Sequence, residues 1–142
     1  MTVSLAALHI LGAMVMLACL VVEHLALSAP LDQPARRRLA RIDAIYGLTA
    51  AIQLATGIGR LFVEKGTAYY LANPVFHAKM GLFVLVGLAS IYPTVRILSW
   101  RRPERVIAPL ELRRVIMVVR FELLALLLLP FLASAMARGV GI

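Results

Sequence analysis

A chain of 142 residues that is 62% hydrophobic and only 15% charged, with a mean hydropathy of +0.91, is far more apolar than a soluble domain, where roughly 45–50% is usual. It reads as an integral membrane protein. The formal charge of +8 does not indicate nucleic acid as a partner, because the basic residues flank apolar runs and form a positive-inside pattern.

A membrane span takes roughly 20 apolar residues, and four stretches qualify, at about 3–27, 42–62, 76–98 and 115–136. The first lacks a basic leader and is too long for a cleaved signal, so it reads as a span. Its single Cys19 excludes a disulfide framework and a CxxCH haem-attachment motif. The connection that follows carries Pro30, Pro34 and a cluster of Arg36, Arg37, Arg38 and Arg41, which places it on the cytoplasmic side. Span two is followed by a connection in which Glu64 offsets Lys65 and Tyr69-Tyr70 form an interfacial aromatic pair. Asn73 and Pro74 supply a cap and a first-turn residue for span three. After it come Arg101, Arg102, Arg105, Arg113 and Arg114, a second basic connection on the same side as the first. Residues 1–142 therefore form one transmembrane domain, an all-α up-down four-helix bundle in a bacterial inner membrane, with both termini on the periplasmic or exterior side.

Ionisable residues inside a bilayer are costly, about 2.5–3.5 kcal/mol on insertion scales, so each asks for a partner or a purpose. Four lie toward the outer face: His9 on span one, Arg60 on span two, His77 and Lys79 on span three. The two imidazoles are expected at comparable depth. They are candidate axial metal ligands for a b-type haem, with Arg60 and Lys79 as propionate contacts. Their plain structural use is hydrogen bonding to backbone or headgroups. Thr49, Gln53, Thr56 and Arg60 share one helical face of span two, which is expected to point inward; Gly47, Ala51, Ala55 and Gly59 form an adjacent small-residue stripe for close approach. Nearer the cytoplasm, Glu23, Asp43, Arg120 and Glu122 are expected to form structural ion pairs within the membrane, with His24 and Tyr46 as further partners. Arg120 and Glu122, two apart, point to nearly opposite faces, which makes a homo-oligomer reasonable.

The whole chain resembles an uncharacterised bacterial family of four-span inner-membrane proteins, most distinctively along NPVFHAKMGLFVLVGLASIYPTVR. More distantly, LAALHILG around His9, FHAKMGLFVLV around His77 and Lys79, and VVRFELLALLLLP around Arg120, Glu122 and Pro130 are similar to HemJ-type protoporphyrinogen oxidases and to CopD-type membrane domains. That resemblance implies His9 as a haem ligand, Lys79 as a propionate or substrate contact and Glu122 as a polar element of the site. The chain departs from the HemJ type at Phe121-Glu122, where an Asn-Glu pair stands, and at Ile91-Tyr92, near which a His stands. The expectation is a protein that binds haem b and acts in electron transfer or tetrapyrrole chemistry as a haem-dependent oxidoreductase, with a redox protein or quinone as partner. The alternatives are a cofactor-free membrane scaffold or partner subunit, and a small proton-coupled transporter using Glu23, His24, Asp43 and Glu122.

Overall fold

The computed structural model describes residues 2–63 and 67–139. Helix α1 spans Thr2–Leu27, α2 Gln33–Val63, α3 Thr67–Ala72, α4 Pro74–Ser99 and α5 Pro109–Ala137. All but α3 are long and apolar enough to cross a membrane. Glu64 and Lys65 lie outside the described residues.

The helix boundaries follow from local chemistry. The Asp32 side chain accepts the Ala35 amide at 2.9 Å, and Pro34 suits a first turn whose amides have no intrahelical acceptor. Helix α2 thus starts at Gln33, ahead of the expected 42, and the Arg36–Arg41 cluster is helical where a loop was expected. At 31 residues the helix is about 46 Å long at 1.5 Å per residue. It overruns a hydrocarbon core of about 30 Å, so its basic first turns project beyond the apolar layer. Asn73 caps α4, its side chain accepting the Val75 amide at 2.9 Å with Pro74 in the first turn. Pro109 opens α5 after the extended Ala108. The short α3 occupies what the sequence presented as a plain connection.

Helices α1 and α2 pack as one hairpin, α4 and α5 as another, and the hairpins join through α1–α5 and α2–α4 contacts, which leaves α1 opposite α4 and α2 opposite α5. The surface of the bundle is apolar: Ile45, Leu48 and Phe62 of α2, Leu88 and Val95 of α4, and Leu124 and Phe131 of α5 are all exposed. Water would penalise such a surface, whereas lipid accepts it.

The two basic connections meet at one end of the bundle. Arg36 donates to the Arg105 carbonyl at 2.6 Å and the Trp100 carbonyl at 3.4 Å, and Gln33 donates to the Arg101 carbonyl at 2.7 Å. Trp100 is fully buried, and its indole N–H donates to Glu111 at 2.7 Å. Arg105 reaches both Glu111 oxygens, at 2.7 and 2.9 Å. The core of this half is built from Met16, Leu20, Leu39, Ile97, Trp100, Val115 and Val119. At the other end, where the first and last helices carry the chain termini, Tyr70, Phe76 and Met136 form a second, smaller cluster.

Candidate functional site

Between the four helices, toward the end away from the basic connections, lies a cavity of about 480 Å³, within the usual range for small-molecule sites. Its wall is mostly apolar: Met16 and Leu17 from α1, Leu61 from α2, Phe76, Met80 and Phe83 from α4, and Leu126, Leu129 and Met136 from α5. The side chains with polar groups on it are His9, Gln53, Arg60, Tyr69, Tyr70 and Lys79. Three of the four outer residues marked in the sequence thus converge on one space.

His9 is held from both ring nitrogens. The Thr56 hydroxyl donates to the carbonyls of Ile52 and Gln53, at 2.9 and 3.1 Å. Its oxygen is then the acceptor for His9 Nδ1–H at 2.8 Å. A neutral imidazole with its proton on Nδ1 presents a bare Nε2, which accepts the Gln53 amide N–H at 3.2 Å. The inward face of α2 read from the sequence is therefore the face that positions His9.

Two glycines make this contact possible. A Cβ on Gly12 would stand 2.5 Å from Gln53 Oε1, and a Cβ on Gly57 would stand 3.3 Å from His9 Cε1. Each helix gives up a side chain where the other inserts its polar one. The stripe expected to serve close approach does so only in part: Gly59 faces Leu5, but Gly47 meets nothing within 4 Å, and Ala51 and Ala55 are exposed. Gly12 and Gly57 were missed; the available signal was their position one turn beyond His9 and Gln53 respectively.

His77 is elsewhere. Its ring is exposed, its Nε2–H donates to the Leu71 carbonyl at 2.8 Å, and it is not part of the cavity wall. Lys79, about 200° farther round the helix at 3.6 residues per turn, does line the cavity. The expected pair of axial imidazoles is thus not assembled: His9 has its Nε2 engaged by Gln53, and His77 ties α4 back to the end of α3. Among the described residues no group of three or more His, Cys, Asp or Glu side chains is arranged to hold a metal ion. A haem held by both histidines does not fit this arrangement.

The inner polar residues also regroup. Arg120 is exposed, and its Nε–H donates to His24 Nε2 at 3.1 Å. Glu122, nearly opposite on α5, is buried with Glu23 of α1 and with Asp43 and Tyr46 of α2. The expected ion-pair network of Glu23, Asp43, Glu122 and Arg120 is instead a cluster of three acids, with the arginine outside it. Helical rotation is the reason, since residues two apart cannot share a face. The same rotation gives Arg120 a partner, His24, within one chain. Among the described residues the ion pairs run from Glu111 to Arg96, at 3.8 Å, and to Arg105, at 2.7 Å.

A four-span bundle agrees with the family model that the sequence matches over residues 1–141, a predicted membrane protein family. The chain belongs to the predicted membrane protein family DUF2214. Comparison with curated proteins and with solved structures gave no match. For a DUF2214 chain, then, its own side chains are the guide to function: an apolar chamber with a polar wall toward one end of the bundle, and buried acids toward the other.

Proposed function

We propose that the protein binds a small membrane-soluble molecule in the chamber beside His9, a molecule with an apolar body and a head that carries acceptor or anionic oxygens. The observation that supports this is the chamber itself, about 480 Å³ and lined by aliphatic and aromatic side chains, with Gln53, Arg60 and Lys79 as the donors on its wall. An apolar pocket with a few convergent polar groups is the usual form of a small-molecule site. An isoprenoid quinone has this chemistry, and with a quinone as occupant the protein would act in electron transfer. The basic connections would face the cytoplasm of a bacterial inner membrane.

The test is extraction and identification of what co-purifies. Mass spectrometry of organic extracts should find one amphipathic species at a fixed ratio to protein, and His9→Ala and Gln53→Ala should each lose it. An extract containing only bulk phospholipid in proportion to the detergent micelle would overturn the reading. The absorption spectrum of the same sample tests haem b: a Soret band lost in His9→Ala but kept in His77→Ala would identify haem bound through one imidazole as the occupant.

A further inference from the structure

The buried face of α2 is polar along nearly its whole membrane path. Asp43, Tyr46, Thr49, Gln53 and Thr56 are all buried, at spacings of three and four. From Asp43 to Arg60, which lines the chamber, the helix covers about 26 Å at 1.5 Å per residue, most of a hydrocarbon core of about 30 Å. Burying polar side chains while turning Ile45, Leu48 and Ile52 outward inverts the pattern of a water-soluble helix. Intramembrane ionisable groups in such positions mark ion or proton pathways.

At the inner end of this line Glu23, Asp43 and Glu122 converge from three helices. All three carboxyls are buried and close enough to act electrostatically on one another, with the buried Tyr46 of α2 beside them. The other titratable neighbours are turned elsewhere or add no positive charge. Cys19 of α1 lies near Glu23, His24 and Arg120 bond to each other, and Arg96 of α4 faces Glu111 and the Tyr92 ring. Among the described residues no Lys or Arg forms an ion pair with the three acids. Carboxylates this close in a low-dielectric interior cannot all be ionised.

A second observation points to what moves along the line. Oε1 of Glu23, Oε1 of Glu122 and Oε1 of Gln53 are buried acceptors with no hydrogen-bond donor from the protein, in residues that are 1%, 1% and 9% exposed. Buried polar atoms in a membrane protein are satisfied. A water molecule is a donor small enough for all three places, and on the two carboxyls a proton serves as well.

We infer that the Asp43–Thr56 face of α2, with Glu23 and Glu122, is a proton path between the chamber and the basic end of the bundle. A proton arriving from the chamber side forms an O–H bond on one carboxyl as another carboxyl releases its proton toward the basic end. Only O–H and N–H bonds are exchanged, so the step needs no oxidant and no second substrate. This goes beyond the chamber's binding role and does not depend on which molecule occupies it.

The experiment uses the full chain reconstituted in phospholipid vesicles that hold a pH-sensitive dye, with a potassium gradient and valinomycin setting the potential in Na⁺-free buffer. Proton entry is expected above that of protein-free vesicles. Glu23→Gln and Glu122→Gln should each reduce it to the protein-free level, and Arg120→Gln should leave it unchanged. Entry no faster than in protein-free vesicles overturns the inference, as does entry that persists in both carboxyl variants or that requires Na⁺. Should the carboxyl variants fail to fold, the wild-type protein treated with dicyclohexylcarbodiimide, which reacts with protonated carboxyls in apolar surroundings, provides the second measurement. Modification of Glu23, Asp43 or Glu122 together with loss of proton entry supports the path. Absence of modification at all three overturns it.

Discussion

At the scale of single residues, the His9–Gln53–Thr56 network shows how little separates a structural histidine from a reactive one. Thr56 fixes the tautomer because its own proton is committed to backbone carbonyls. That leaves Nε2 to be held by a carboxamide whose place depends on the missing side chain of Gly12. Gly12→Ala tests the dependence. The new methyl would stand 2.5 Å from Gln53 Oε1, closer than non-bonded atoms approach, so the flexible amide must swing away and release His9. Because the displaced atom is the end of a side chain and not backbone, the expected cost in stability is small, about 1 kcal/mol. The effect on the chamber should be larger, with loss of the co-purifying molecule comparable to Gln53→Ala. Retention of that molecule by a folded Gly12→Ala protein would show that the His9–Gln53 contact does not shape the chamber.

At the scale of elements, the spanning helices and the start of α4 were legible in the sequence, whereas the polar groupings were legible only in part. Span lengths follow from apolar runs, and Asn73-Pro74 states its cap chemistry in two residues. The inward face of α2 was readable from the three- and four-residue spacing of Thr49, Gln53, Thr56 and Arg60. What spacing within one helix does not carry is the rotation of its neighbours. That rotation turned His77 away from the chamber, moved Arg120 outside the acid cluster and left Gly47 against nothing. The loops pose the same problem, since Glu111 becomes the acceptor for Trp100 and Arg105 only when the connection between α4 and α5 folds back on itself. Glu111→Ala should therefore destabilise the basic end by about 1–3 kcal/mol, the usual cost of leaving a buried donor unsatisfied after losing a charge-assisted partner. The measurement is thermal unfolding in detergent together with tryptophan fluorescence, since Trp100 is the only tryptophan. A lowered midpoint and a red-shifted emission are expected. An unchanged spectrum would mean that the indole is packed independently of its hydrogen bond.

At the scale of the whole molecule, the bundle is polar along an interior line, apolar on its outer surface and basic at one end. These three properties fix how it can sit in a bilayer. The apolar surface sets the depth, and the overrun of α2 puts Arg36, Arg37 and Arg38 past the hydrocarbon on the side where Arg101, Arg102 and Arg105 also gather. A negative surface potential on the cytoplasmic leaflet favours that end there. The chamber would then open toward the outer half and the acid cluster lie toward the inner half, so that a proton path would connect opposite faces of the membrane. Single cysteines decide the orientation. In a background where the buried Cys19 is replaced by alanine, exposed Leu71 at the end of α3 and exposed Arg37 at the start of α2 are changed to cysteine one at a time. A membrane-impermeant maleimide added to intact spheroplasts should label Leu71→Cys at once and Arg37→Cys only after the membrane is permeabilised. The reverse result would invert the bundle and with it the direction of the proton path, while equal labelling of both sites before permeabilisation would indicate a mixed population that no positive-inside rule governs.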